Sequence, residues 1–240
     1  MAGTFYHNPA APLHQPSFRR EPPMPIKAAL FDFDGTLADS FAAITASTNH
    51  VRHSYGLPPL SEAAVRGYVG YGLDNLMADL LPGAPVDEAV ARYREHHART
   101  MVAETRLMPG VAETIRALAA RGLKLAVCSN KRVEFTRALI AALGLGEHFV
   151  CVLGPDDVRG RSKPDPAMLL EGLTRLEVSA AEAVYVGDMV VDVQTARAAG
   201  VAVWLVPTGT TATNEPADRV LNSFDELLKL LPKTHLKEEF

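Results

Sequence analysis

The apolar positions along the chain form either short continuous runs, typical of buried strands, or the spacing of amphipathic helices. Residues 26–33 read IKAALFDF, a nearly continuous apolar run typical of a strand buried on both faces of a parallel sheet. Beyond residue 109, amphipathic helical segments alternate with short apolar runs. Helices are predicted at residues 111–122, 133–146, 166–178, 190–200 and 224–231, and strands at 123–130, 148–154, 183–188 and 201–207. This alternation predicts an α/β fold, a mostly parallel sheet with helices on both faces.

A second region contains only helical periodicity. Helices separated by glycine and proline are predicted at residues 41–56, 61–70, 72–83 and 86–104, with capping residues at Asp39 or Ser40 and at Ser61. We therefore expect a core of residues 25–39 and 107–240, interrupted by an all-helical cap at 40–106. Residues 1–24 are rich in proline, lack a continuous apolar segment and are predicted to form a flexible tail.

Composition narrows the class of protein. The 240 residues carry a net charge of −4, which argues against a general binder of nucleic acid or of anionic membranes. Cys128 and Cys151 lie in apolar runs and are predicted to be buried thiols rather than a disulfide framework. No apolar stretch is long enough to span a bilayer, so a cytoplasmic location is expected. Whether the protein is a monomer or a homodimer stays open.

Polar residues of complementary types follow the predicted strands. The carboxyl ends of parallel strands meet at one edge of a sheet, where ligands bind. The residues at or just beyond these ends are Asp32, Asp34, Ser129, Asn130, Lys131, Lys163 and Asp188, with Asp192 four residues further on. We therefore expect these side chains to converge on one site.

Carboxylates alone repel a phosphate, but carboxylates around a divalent cation attract one. Asp32 and Asp188 fit a Mg²⁺ site, and Asp192, one helical turn after Asp188, is expected to orient water bound to the metal. A carboxylate at such a site can attack phosphorus and form an acyl phosphate. Asp34 then provides the acid and base, while Ser129 and Lys163 hold the transferring oxygens.

Candidate substrate contacts come from the cap and from the second strand. Gly70 and Gly72 flank a turn into a helix, whose free N–H groups are expected to meet an anionic group, and Arg66 is expected to do the same. Asn130 is assigned to substrate binding. Lys131 either reaches the phosphate or is solvated.

Four strings carry a family resemblance. FDFDGTLADS, CSN, SKPDP and VGDMVVD resemble, in this order, the four motifs of the haloacid dehalogenase superfamily, and the likeness runs from Ile26 to Pro207. The resemblance implies a Rossmann-like three-layer core with a nucleophile at Asp32, an acid/base at Asp34, and Ser129 and Lys163 on the phosphoryl group. It also implies Mg²⁺ held by Asp32, the backbone carbonyl of Asp34 and Asp188.

Three longer strings are similar to the phosphoglycolate phosphatase branch of that superfamily. They are VGYGLDNLM, SNKRVEFTRALIAALGL and LGPDDVRGRSKPDP. This likeness implies a phosphoric monoester hydrolase acting on a small phosphorylated metabolite, 2-phosphoglycolate. The chain departs from the branch at residues 207–211, where PTGTT stands in place of a Gly-Tyr turn.

Two other functions remain open at this level. A phosphosugar mutase of the same superfamily would carry the same motifs. A phospho-accepting receiver domain would share a strand-end aspartate, a lysine and magnesium, but typically lacks an equivalent of Asp34 and a helical insert. Zinc at the histidine pairs His50/His53 and His96/His97 is disfavoured, because no third ligand accompanies them.

Overall fold

The computed structural model describes residues 25–206 and 216–231, so the predicted tail and the string at 207–211 lie outside the described residues. The strands are Ala28–Phe31 (β1), Ala38–Asp39 (β2), Arg106–Leu107 (β3), Lys124–Cys128 (β4), Cys151–Leu153 (β5), Ala183–Gly187 (β6), Ala202–Leu205 (β7) and Arg219–Val220 (β8). The helices are Phe41–Ser54 (α1), Glu62–Arg66 (α2), Leu73–Leu80 (α3), Val86–Glu104 (α4), Val111–Ala120 (α5), Val133–Ala142 (α6), Ala167–Leu176 (α7), Val190–Ala199 (α8) and Leu227–Leu230 (α9).

A six-stranded parallel sheet forms the middle layer, in the order β5-β4-β1-β6-β7-β8. All of β1 is buried, and its side chains alternate between the two faces as the period of a strand requires. Ala29 and Phe31 pack in one apolar layer with α5, α6 and α9, while Ala28 and Leu30 pack in the other with α7 and α8. The predicted α/β fold with a Rossmann-like three-layer core is confirmed.

The helical segment between β2 and β3 has an apolar cluster of its own. α1 to α4 bury side chains including Ile44, Val51, Leu76 and Met77 against one another. The segment leaves and rejoins the core through the antiparallel pair of β2 and β3, with Ala38 opposite Leu107. Both ends of the helical segment therefore lie side by side.

The differences from the predicted elements include one additional short strand of the main sheet and changes at the ends of two helices. β8 was not predicted, because its two exposed residues carry no apolar run. The closing helix begins as a 3₁₀ turn at Phe224–Glu226 before α9. α2 ends at Arg66, before Gly67, while its predicted cap is present: the Ser61 hydroxyl oxygen accepts from the backbone N–H of Ala64.

Both cysteines are free thiols as predicted, but only Cys128 is fully buried, since Cys151 is half-buried. Burial raises the pKa of both thiols, so they are held in the protonated form that packs as a small apolar group. Within the described residues, no helix combines the length and apolar character needed to cross a bilayer.

Candidate active site

Most of the predicted site residues surround one cavity of about 60 Å³ between the sheet edge and the helical segment. That volume corresponds to roughly four to six water-sized groups. Of the predicted residues, the cavity is lined by Asp32, Asp34, Gly70, Gly72, Ser129, Asn130, Lys131 and Lys163. Asp188 and Asp192 lie against Asp32 rather than on the cavity wall.

Asp32 is held at the end of β1 by the sheet. Its backbone N–H donates to the Val186 carbonyl at 2.9 Å, which continues the pairing of β1 with β6. The chain then turns at Gly35, where φ is 84° and a Cβ would lie 2.4 Å from Oδ2 of Asp188. The Thr36 hydroxyl donates to Oδ1 of Asp188 at 3.2 Å. Only glycine permits this approach of the two strand ends.

Three buried carboxylates meet one buried ammonium behind the cavity. Nζ of Lys163 lies 2.9 Å from Oδ1 of Asp32 and 2.7 Å from Oδ1 of Asp192. One oxygen from each of Asp32, Asp188 and Asp192 lies within 4.8 Å of the others. When all of these groups are ionised, the cluster carries two negative charges in excess.

The two aspartates that contact Lys163 differ in how their oxygens are satisfied. Oδ2 of Asp192 accepts from the backbone N–H groups of Asp188 and Met189, each at 3.0 Å, while its Oδ1 accepts from Lys163. Oδ1 of Asp32 is paired with Lys163 by charge, but the angle is not that of a hydrogen bond, so this buried oxygen has no aligned donor among the described residues. This oxygen therefore retains the capacity to accept a further partner.

Burial and the excess negative charge raise the pKa values of the Asp188 and Asp32 carboxyl groups. Burial, and then the Asp192 and Asp32 carboxylates, raise the pKa of Asp188 to about 8. Burial also raises the pKa of Asp32 to about 6, against the opposing effect of Lys163. Burial alone would lower the pKa of Lys163, but Asp192 and Asp32 outweigh it and hold that pKa above its usual value. The cluster is thus short of positive charge.

Asp34 has a separate set of partners on the cavity side. Its Oδ1 accepts from the Ser40 hydroxyl and, at 3.2 Å, from Nζ of Lys131. The Lys131 side chain is only 7% exposed, so the solvated alternative for this lysine is wrong. Asp34 and Lys131 form an ion pair on the wall of the cavity.

Arg66 is the predicted contact that the fold does not bring to the cavity. Its guanidinium stacks 3.6 Å from the centre of the Phe41 ring and pairs with Glu62 at 3.0 Å and with Asp39 at 3.8 Å. These partners hold the side chain at the surface of α1 and α2.

Sequence reasoning missed the part of the wall that α4 contributes. Tyr93 and His97 stack with ring centres 5.0 Å apart and line the cavity, and Nδ1 of His97 lies 3.0 Å from the Ser47 hydroxyl. Burial, and then Lys131, lower the pKa of His97 to about 3 and keep it neutral. Tyr93 and His97 are four residues apart on α4, and this spacing could have indicated that they share one face of the helix. Other wall residues not predicted are Ile44, Val69, Leu73, Leu76, Arg132 and Phe135.

Comparison with known proteins agrees with this geometry. The family model of haloacid dehalogenase-like hydrolases matches residues 29–206. A phosphoglycolate phosphatase of Rhodospirillum rubrum is 37% identical over 215 residues, which cover 85% of this chain and 89% of that protein. A predicted phosphoglycolate phosphatase from Haemophilus somnus has a crystal structure similar at a TM-score of 0.80 and 26% identity, covering 85% and 97% of the two chains.

A further solved relative holds a ligand. CbbY from Rhodobacter sphaeroides, crystallised in complex with xylulose-(1,5)-bisphosphate, is similar at a TM-score of 0.75 and 26% identity, covering 86% of this chain and 99% of that one. The motif order, the parallel core with its helical insert and these likenesses all agree. The chain therefore belongs to the haloacid dehalogenase-like hydrolases, as a phosphomonoesterase of the phosphoglycolate phosphatase-like branch.

Proposed function

We propose that this phosphomonoesterase transfers the phosphoryl group of a small metabolite, 2-phosphoglycolate, first to Asp32 and then to water, with Mg²⁺ as cofactor. The observation that carries the proposal is the Asp32 carboxylate: it lies at the end of the central strand, on the cavity wall, beside the Lys163 ammonium, with one oxygen lacking an aligned donor. Such a carboxylate is available to attack phosphorus.

The buried acidic cluster fits Mg²⁺. Asp32 and Asp188, together with the backbone carbonyl of Asp34, would hold the ion, since hard oxygen ligands suit it and the cluster lacks positive charge. Asp192, whose oxygens already accept from Lys163 and two backbone N–H groups, would position the surrounding groups. When bound, Mg²⁺ offsets the negative charge that the carboxylates and the phosphate bring together.

In the first half-reaction a carboxylate oxygen of Asp32 bonds to phosphorus as the bond from phosphorus to the leaving oxygen breaks. Asp34, which enters this step in its protonated form, gives the proton to that oxygen, which leaves as an alcohol. Its position between Ser40 and Lys131 keeps the carboxyl on the cavity side. Ser129 and Lys163 stabilise the charge that builds on the phosphoryl oxygens.

In the second half-reaction Asp34, now ionised, takes a proton from a water molecule as that water attacks the acyl phosphate on Asp32. Phosphate leaves, Asp32 is restored as a carboxylate, and Asp34 is again protonated, so the cycle closes. A mutase would instead return the phosphoryl group to a substrate hydroxyl and release no phosphate. Membership of a hydrolase family favours the transfer to water.

The shape and charge of the cavity support a short, anionic leaving group. The cavity, about 60 Å³, is small, which favours a short leaving group over a sugar or a nucleotide. The wall contributed by the helical segment is mostly apolar, while Lys131 and Arg132 add positive charge on the core side. The residue before α3 is Gly72, which has no side chain to cap the helix. The first N–H groups of α3 are therefore available to the carboxylate of the substrate.

The substrate proposal is tested by measuring Mg²⁺-dependent phosphate release across a panel of 2-phosphoglycolate, a sugar bisphosphate, hexose phosphates, nucleotides and an aryl phosphate. We expect kcat/KM for 2-phosphoglycolate to exceed that for the aryl phosphate by about 100-fold or more, a difference of roughly 2.7 kcal/mol in transition-state stabilisation. Equal values would contradict the assignment of 2-phosphoglycolate and leave the phosphatase chemistry standing.

Removing divalent cations is expected to make the stability of the fold depend on pH. The folded-state pKa values of about 6 for Asp32 and about 8 for Asp188 lie above the ordinary value of 3.8, so the folded protein holds protons that the unfolded chain releases. That stabilisation is present below about pH 4 and is lost as pH rises through about 6 and 8. Urea denaturation of the chelated protein should therefore give a free energy of unfolding that falls between about pH 5 and 8.

Added Mg²⁺ should restore part of this loss at the upper end of the range, because it binds the ionised carboxylates of the folded state only. The variant Asp188→Asn is the control, since it removes the group with the larger shift and should flatten the dependence. A chelated wild-type protein whose stability is constant over the range would contradict the prediction.

A further inference from the structure

The Asn130 side chain connects the helical segment to the core. Its Nδ2 donates to the Gly70 carbonyl at 2.8 Å and to the Lys163 carbonyl at 3.1 Å, and its Oδ1 accepts from the Lys163 backbone N–H at 2.7 Å. An amide group has two N–H donors, and here both meet backbone carbonyls. The side chain is therefore engaged by the protein itself rather than free for a phosphate.

Gly70 reaches the core in the loop between α2 and α3, which is docked closely. Its φ is 115°, and a Cβ at this position would lie 2.6 Å from Sδ of Met189. Asn130 follows β4 and Met189 follows β6, so the same loop contacts the ends of both strands. A residue with a side chain at position 70 would strain the loop, because L-residues rarely adopt a φ of 115°.

Lys163, the other partner of Asn130, contacts the proposed nucleophile. Its side chain is 1% exposed and lies 2.9 Å from Asp32 and 2.7 Å from Asp192. Its backbone is held by Asn130 on both the N–H and the carbonyl side. A small shift of this backbone moves the ammonium relative to Asp32, and misplacement of about 1 Å can cost 10²-fold in rate.

We propose that Asn130 is a positioning residue that makes the placement of Lys163 depend on docking of the Gly70 loop. With the loop docked, the Gly70 carbonyl fixes the amide plane, and the fixed amide holds the Lys163 backbone. When the loop is undocked, one N–H of Asn130 loses its acceptor. The amide can then rotate, and its hydrogen bonds to the Lys163 backbone weaken. Phosphoryl transfer is then fast only when the cavity is closed. The effect on turnover rests on the proposed function.

The test is a double-mutant cycle on the full chain. Asn130→Asp keeps the acceptor for the Lys163 N–H but places a carboxylate oxygen opposite two carbonyls. Gly70→Ala disturbs the loop by another route, through backbone strain at a φ of 115°. We expect each change to lower kcat by about 10- to 100-fold, and the double variant to be no slower than the slower single variant. Effects that multiply would show that the two residues act separately and would overturn the proposal.

An activity-independent measurement accompanies the cycle. Hydrogen exchange of the peptide covering residues 67–73 should be faster in Asn130→Asp than in the wild type. The matched control is Asp79→Asn, since it exchanges the same two side-chain groups at an exposed position of α3 outside this peptide. This control should leave both kcat and the exchange rate of the loop unchanged.

The outcomes separate the inference from the proposed function. If the wild type releases no phosphate from any substrate, the proposed function fails and hydrogen exchange alone decides whether Asn130 holds the loop. If the wild type is active and loop exchange in Asn130→Asp equals that of the wild type, the inference fails while the function stands. Should Asn130→Asp not fold, Asn130→Ala takes its place in the cycle, with the same expected result.

Discussion

Replacing Asp32 with Asn is expected to lower the rate of phosphate release by roughly 10³-fold or more, the scale of loss seen when an attacking nucleophile is removed. The amide keeps the size of the carboxylate but cannot form the acyl phosphate. Rapid-quench experiments with labelled substrate should detect a phosphoenzyme in the wild type and none in the variant.

The same substitution should leave the fold intact. Asp32→Asn removes one of three buried carboxylates that share a single ammonium, so the metal-free variant should be at least as stable as the wild type. The matched control is Asp39→Asn, a change at a half-exposed aspartate in the same motif, which should keep nearly full activity. A variant at Asp32 that retains more than about one tenth of the wild-type rate would rule out this residue as the nucleophile.

Replacing Lys163 with Met is expected to lower the free energy of unfolding by about 3–5 kcal/mol, the usual cost of breaking a buried ion pair by removing one partner. Asp32 and Asp192 would then be buried without their shared cation. Activity should fall as well, since the transferring oxygens lose the nearest ammonium. Urea denaturation and steady-state kinetics measure the two effects.

Two comparisons identify the cause of this destabilisation. Lys124→Met changes a half-exposed lysine that pairs with the exposed Glu177, and stability should change little there. Adding Asp192→Asn to Lys163→Met should recover part of the loss, because it removes one of the carboxylates left unpaired. A single Lys163→Met variant as stable as the wild type would show that the cluster does not depend on this charge.

The sequence predicted the part of the site that the sheet itself arranges. Asp32, Ser129 and Asp188 follow strands that are parallel neighbours, and the carboxyl ends of such strands meet whatever the details of packing. The continuous apolar run of β1 is typical of a strand buried on both faces, in the interior of a parallel sheet. Asp32, which follows this run, could therefore be assigned to the end of an interior strand.

The rest depends on contacts between residues far apart in the chain. Arg66 is drawn to the ring of Phe41 on α1, a contact that no local spacing reveals. Lys131 can be buried because its ammonium pairs with the carboxylate of Asp34, 97 residues earlier in the chain. His97 faces the cavity only because α4 packs on α1, where Ser47 fixes its ring. Apolar periodicity predicts which face of a helix is buried, but it does not predict which polar side chains of other elements contact that face.

The short pairing of β2 with β3 has a consequence for how this enzyme could diverge. Because Ala38 and Leu107 lie opposite each other, a stretch of nearly seventy residues begins and ends at one point of the core. Such a stretch can be lengthened, shortened or exchanged without altering the strand order or the acidic cluster. Recognition of the leaving group can thus change between descendants of one ancestor while the phosphoryl chemistry is inherited intact.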